Sequence, residues 1–342
     1  MNKILCENLK DYRRMYLYEA DDNTDVSINQ NSKIQHPVKT LRTLLSMPYE
    51  DFITTLKQNA NDPKLQAIMN LGRKDGIPTD ETVKIDLLNI PVKNLLPTQS
   101  QIGLEDSLGF LRKQPGVAVK LINGDTSGFE NMRILVANNK YILDGHHRWS
   151  QVFLMNPDAD IPVVNLNIPG FKDPKQLLKI IQLAIAAAYK NIASTNAHSA
   201  TDLFADSMGP KEIKELVPKI MSGELYSPPG EELIKDCIDA FSKKYNQPVS
   251  RQQLFDLISK RAIFIREHRK PKTGTAPERS YMPQPSDAAT AAGMDPKGLK
   301  GVPIDFVSKL KSGQLNFKHP LVMDKSRTLN TDLSKKPNTN IQ

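Results

Sequence analysis

The spacing of apolar positions changes along the chain, and the changes divide it. Residues 1–18 alternate apolar and charged positions, and "EADDNTDVSINQNSKIQ" (19–35) has almost nothing to bury, so 1–35 is expected to be a flexible N-terminal segment with a short docking helix at its start. Over 36–81, opening with "HPVKTLRTLLSMPYEDFITTLKQ", apolar residues recur every three or four positions between Pro and Asn-Asp breaks, which predicts a lead-in of two or three helices.

The period then shortens. "TVKIDLLNIPVKNLLPTQ" (82–99) predicts a strand followed by a Pro break, "EDSLGFLRKQ" (105–114) a short helix, and "GVAVKLING" (116–124) a strand ending in an Asn-Gly turn. "MRILVANNKYILDG" (132–145) reads as two strands meeting at Asn138-Asn139, residues that tolerate the positive φ of a tight hairpin. "HHRWSQVFLMN" (146–156) is a helix and "IPVVNLNI" (161–168) a last strand. The expected fold class is α+β, a small mixed sheet with helices at 82–170, flanked by helical N-terminal and C-terminal regions.

After Pro169-Gly170 the pattern turns helical, at 173–194, 199–205, 210–222, 230–245 and 250–267, with starts marked by Asp173 before Pro174, Ser199, Pro210 and Ser250. The stretch 268–298 is rich in Pro, Gly and Thr and reads as a long loop, and "PIDFVSKLKSG" (303–313) is a final amphipathic helix of the 171–323 region. The polar end, 324–342, is expected to be disordered.

A chain of 342 residues with 39% hydrophobic content can bury a real core, as one large or two moderate domains. The most apolar run, 177–193, is interrupted by Lys179, Gln182 and Lys190, and the N-terminus lacks a signal-peptide pattern, so no membrane partner and a cytoplasmic location are expected. Cys6 and Cys237 are far apart and have no metal-ligand spacing, which argues against a disulfide framework or a zinc ribbon. A net charge of +8 suits nucleic acid or phosphorylated ligands.

Candidate chemistry concentrates at Asp144-Gly145-His146-His147-Arg148. Gly145 would sit where a strand turns into a helix and allow close approach of a ligand, and the first amides of that helix attract anions. Trp149, Val152 and Phe153 supply its apolar face, leaving His147 and Arg148 on the flanks. Arg148 offers a planar fork for phosphate, the histidines donate hydrogen bonds or move protons, and Asp144 can orient a histidine or hold magnesium. The alternative is structural: Asp144 caps the helix, the histidines are half-exposed and Arg148 pairs with a carboxylate. Adjacent histidines lack the i, i+4 spacing of a helical zinc site.

The element order over about 84–168 and the corner "YILDGHHRWSQVFLM" resemble the ParB/sulfiredoxin superfamily, whose N-terminal domain carries a Gly-x-x-Arg corner before a helix. "IDLLNIPVKNLLPTQSQ" is similar to its opening strand and Pro segment, and "GVAVKLI" to its second strand. Sulfiredoxins have Gly-Cys-His-Arg; here His146 stands at the cysteine position while Gly145, His147 and Arg148 match, so the reductase reaction is not implied. ParB-type partition proteins hold a cytidine nucleotide with Gly-x-x-Arg-x-x-Ala, which Gly145 and Arg148 match while Gln151 replaces the alanine. Free-serine kinases of the same fold have an Asp-Gly-His-His-Arg corner that binds a nucleotide phosphate, and a carboxylate base for which Glu105 and Asp106 are the nearest candidates. "PTQSQIGLEDSLGFL" (97–111) is similar to ParB-like proteins of tailed bacteriophages, and Thr98, Gln99 and Gln101 either line the cleft opposite the corner or cap the following helix.

Three functions compete. The first is a phosphate- or nucleotide-binding protein, as a phosphotransferase or nucleotide hydrolase using ATP, ADP or CTP with magnesium: His146, His147 and Arg148 bind phosphate, Asp144 holds the metal or orients a histidine, and Glu105 or Asp106 accepts a proton. The second is a DNA-binding protein or nuclease in which Arg251, Lys260, Arg261, Arg266, Arg269, Lys270 and Lys272 track phosphates. The third is a non-catalytic phage structural or interaction protein, in the host cytoplasm or the virion.

Overall fold

Short strands that are apolar at every position need cover on both faces, and this requirement sets the architecture. The computed structural model describes residues 43–62, 84–168, 173–192, 201–225, 229–272 and 276–285. The expected segment 1–35, the helix at 303–313 and the tail 324–342 lie outside the described residues.

The protein is α+β. Strands β1 (Lys84–Pro91), β2 (Leu96–Pro97), β3 (Ile134–Ala137), β4 (Tyr141–Asp144) and β5 (Asp160–Asn167) form a mixed sheet in the order β1-β5-β3-β4-β2. β1 runs antiparallel to β5 and β3 to β4, whereas β5 is parallel to β3 and β4 to β2. All four residues of β3 are buried.

Alternate residues of the central strands feed two cores. Ile134, Val136, Ile142, Ile161 and Val163 pack on one side with α2 (Leu104–Lys113), α3 (Pro115–Ile122), α4 (His146–Met155), α6 (Pro210–Ser222), α7 (Glu231–Tyr245) and α8 (Arg251–Arg269). Leu135, Ala137, Leu143, Val164 and Leu166 pack on the other with α1 (Tyr49–Asn59) and α5 (Pro174–Tyr189). The fold is therefore a sheet between two helical layers.

The hairpin turns at Asn138 and Asn139, with φ of 54° and 56°. The turn is also tied to neighbouring chain: the Asn138 side chain receives a hydrogen bond from Ile168 N–H at 2.7 Å, and the Asn139 backbone N–H donates to Asn165 Oδ1 at 2.7 Å. A register shift between Leu135 and Val136 sets Leu135 opposite Asp144, so the strand pair is bulged at the end that carries the corner.

Two expected elements differ. The predicted strand at 116–124 is helix α3: Pro115 occupies its first turn, and Ala118, Leu121 and Ile122 form a buried helical face. Val117 and Val119, which suggested a strand, are its flanks packed against the core. In the predicted helix at 199–205, residues 201–205 form turns. Their polar atoms serve α2 instead: Thr201 accepts from Leu104 N–H and Glu105 N–H, and Asp202 from Ile102 N–H.

Basic residues of α7 and α8 close helix ends. Arg261 donates to the Leu154 and Met155 carbonyls at 2.8 and 2.6 Å, and Lys244 to the Ile122 carbonyl at 2.7 Å, each a cation at the negative end of a helix. Arg261→Ala is expected to lower the unfolding free energy by about 2 kcal/mol, since hydrogen bonds from a charged donor are lost at a largely buried site. Urea denaturation should show a shifted midpoint with an unchanged slope; an unshifted midpoint would show that the cap is dispensable.

Candidate functional site

The strand β4 ends at Asp144 and α4 begins at His146, leaving Gly145 to reverse the chain with φ 96° and ψ 27°. Only glycine adopts this conformation at little cost, and a Cβ here would also lie 2.5 Å from Ile134 Cγ2 and 3.1 Å from Arg148 Nη2. Trp149, fully buried, anchors the helix by donating from Nε1 to the Val92 carbonyl at 2.9 Å.

Arg148 folds back across the corner. Its Nη1 donates to the Met132 and Arg133 carbonyls where the chain enters β3, and its Nη2 lies 3.3 Å from Asp144 Oδ2. Asp144 and Arg148 are thus an i, i+4 pair across the glycine, as the structural alternative expects for the arginine. The same arginine also lines a cleft.

That cleft, about 170 Å3, is bounded by Asp144 to Arg148, by Gln99, and by Arg279, Met282 and Gln284 from the segment 276–285. Arg279 begins a short 3-10 turn, Arg279–Tyr281, and donates from Nη1 to Asp106 Oδ2 at 2.9 Å. The segment's backbone is tied down by Ser100 N–H to the Pro277 carbonyl at 2.9 Å and by Arg279 N–H to Gln101 Oε1 at 3.3 Å.

Both histidines are neutral. His146 is buried, and its Nε2 accepts from Thr98 N–H at 3.0 Å, which places its proton on Nδ1. Burial, reinforced by His147, Arg279 and Arg148, pushes its pKa down to about 3. His147 Nε2 accepts from Gly103 N–H at 3.3 Å. Burial and the charges of Arg279 and Arg148 push its pKa down to about 4, outweighing Asp106 Oδ2 at 3.5 Å, so the contact with Asp106 is not an ion pair near neutral pH.

The sequence candidates therefore separate. Asp144, Gly145, His146, His147, Arg148 and Gln99 line the cleft. Thr98 and Gln101 support it from behind: Thr98 holds His146 and donates to the Ile142 carbonyl, and Gln101 holds the Arg279 segment. Glu105 turns away to pair with buried Arg112 at 2.9 Å, and Arg112 in turn donates to the Ile220 carbonyl at 2.6 Å. Asp106, one residue on, faces His147 and Arg279.

Arg279, Met282 and Gln284 were not among the sequence candidates. The available signal was the length of the 268–298 stretch, since long irregular segments in a compact protein tend to carry sites.

A magnesium ion does not fit at Asp144, whose carboxylate pairs with Arg148 beside a second guanidinium, Arg279. Among the described residues no group of three or more His, Cys, Asp or Glu side chains is arranged to hold a metal ion. Among them, too, no helix is long and apolar enough to cross a membrane.

The basic residues expected to track DNA are mostly engaged within the protein. Arg251 is bidentate to Glu231 at 2.7 and 2.8 Å, Arg266 donates to the Leu203 and Ala205 carbonyls at 2.8 Å, and Arg269 to the Lys93 carbonyl at 2.8 Å. Arg261 caps α4 and Lys270 lies 3.3 Å from Asp206, while Lys260 and Lys272 are exposed.

No protein family, curated protein or solved structure matches the chain.

Gly145→Ala is expected to cost about 2–4 kcal/mol, combining a left-handed backbone penalty with overpacking against Ile134; thermal or urea unfolding measures it, and a loss below about 1 kcal/mol would show that the corner relaxes. The histidines set a pH dependence. Their folded pKa values lie below the unfolded value of 6.5, so the unfolded chain binds more protons in acid. Stability is full above pH 6.5 and falls as pH drops toward about 4 for His147 and about 3 for His146. Each contributes about 1 kcal/mol per pH unit within that window. A pH series of urea midpoints should be shallower for His147→Gln than for the parent chain; equal slopes would reject the assignment.

Proposed function

We propose that the chain is a phosphate- or nucleotide-binding protein of the ParB/sulfiredoxin type, with its site in the cleft at the start of α4. The observation that carries this reading is the convergence of Arg148 and Arg279, from distant parts of the chain, on one cleft at a helix N-terminus. Two guanidiniums beside neutral histidines suit an anion with several oxygen acceptors, and each ring keeps an Nδ1–H as its donor. The strand–glycine–helix corner with arginine three residues on, and a hairpin before it, supports the family reading on local geometry.

The cleft's size refines the ligand. Pockets that enclose whole small molecules run from roughly 300 Å3 upward, so about 170 Å3 encloses a phosphoryl end and leaves the remainder outside. Holding the phosphate is the part of the reading best supported. For transfer or hydrolysis, Asp106 is the better-placed proton acceptor, because it faces the cleft residues His147 and Arg279 while Glu105 turns away to Arg112.

Calorimetric titration of the full chain with pyrophosphate, ADP and CDP tests this. Binding is expected for all three, with Kd values within about threefold of one another because the base lies outside the cleft. The affinity should weaken with salt. Arg148→Lys, which keeps the charge but loses the fork, should bind roughly tenfold more weakly. Absence of binding by every one of these ligands would reject the proposal.

A further inference from the structure

The two cleft arginines are held differently. Arg148 is fixed by main-chain carbonyls at the entry to β3 as well as by its neighbour Asp144, whereas the Arg279 guanidinium reaches across to Asp106 on α2, with both side chains partly exposed. The backbone that carries Arg279 is pinned on both sides. Pro277 and the Arg279 amide are tied to Ser100 and Gln101, the Tyr281 carbonyl accepts from Gln182 Nε2 on α5 at 2.8 Å, and Met282 is buried in the second core. The freedom left at this point lies in the side chain rather than in the loop.

Asp106 is also the carboxylate nearest His147, at 3.5 Å. A single acidic group therefore faces both a cleft arginine and a cleft histidine.

Resting on the phosphate reading above, we propose that Arg279 is the residue that sets the site's selectivity for multiply charged phosphate, by exchanging its partner. Without ligand it pairs with Asp106. When a phosphoryl group of two or more negative charges enters, the guanidinium transfers to it and Asp106 is released beside His147. A singly charged carboxylate offers Arg279 no more than Asp106 already does, so it gains nothing by displacing it. A terminal phosphate, with more charge and three acceptor oxygens, does gain. Asp106 thus acts as an internal competitor that excludes weak anions.

A double-mutant cycle with pyrophosphate as the probe, read by calorimetry on the full chain, tests this. Asp106→Asn removes the competitor and should tighten pyrophosphate binding by roughly two- to fivefold, the worth of a partly exposed ion pair. Arg279→Gln should weaken it roughly tenfold or more. In the Arg279→Gln background, Asp106→Asn should have little effect.

Three results would overturn the exchange. Weaker binding by Asp106→Asn would make Asp106 a positioning residue for Arg279. An equal gain with and without Arg279 would reduce its effect to general charge repulsion. No change at all would show that the pair does not compete. If the parent chain fails to bind pyrophosphate, the phosphate reading itself falls and the exchange with it, an outcome distinct from binding that is indifferent to Asp106.

Discussion

The contact on which the site depends is Arg148 folded back onto the carbonyls of Met132 and Arg133. These carbonyls belong to the chain as it enters β3, next to a bulge that ends the regular pairing of β3 with β4, so the arginine supplies donors where the sheet is irregular. Such a reach is possible only because Gly145 lacks a Cβ, which would crowd both Ile134 and the guanidinium. The left-handed glycine, the bulge and the arginine therefore form one unit. Its consequence is a guanidinium held in a fixed position in the wall of the cleft.

Around this unit the electrostatics follow from burial. A histidine beside two guanidiniums, largely removed from water, does not hold a proton, and the backbone amides of Thr98 and Gly103 confirm which nitrogen is bare. Neutral rings add no further positive charge beside the two arginines. Burial thus holds both histidines well below their usual range.

Much of this was legible in the sequence, for local reasons. The hairpin announced itself through Asn138 and Asn139, and the corner through a glycine between an apolar run and a helical stripe anchored by Trp149. What could not be read depends on distant packing. Val117 and Val119 have strand propensity, yet Pro115 and the buried face of Ala118, Leu121 and Ile122 decided for helix. Glu105 and Asp106 are adjacent and chemically alike, but a helix turns about 100° per residue, so one meets Arg112 and the other Arg279. The Asp106–Arg279 pair spans 173 positions, and no periodicity encodes such a meeting.

The basic residues of α7 and α8 serve the packing of the fold as well as its net charge of +8. Helix ends and turns leave carbonyls without main-chain partners, and a long cationic side chain satisfies them from a neighbouring element. Arg261 does so for α4, Lys244 for α3, Arg266 for the turn at Leu203 and Ala205, and Arg269 for Lys93. These side chains are oriented by the carbonyls they serve, whereas Arg148 and Arg279, each paired with a carboxylate, stand at the wall of a cleft. α8 thereby acts as a scaffold that holds the end of the corner's helix in place through Arg261.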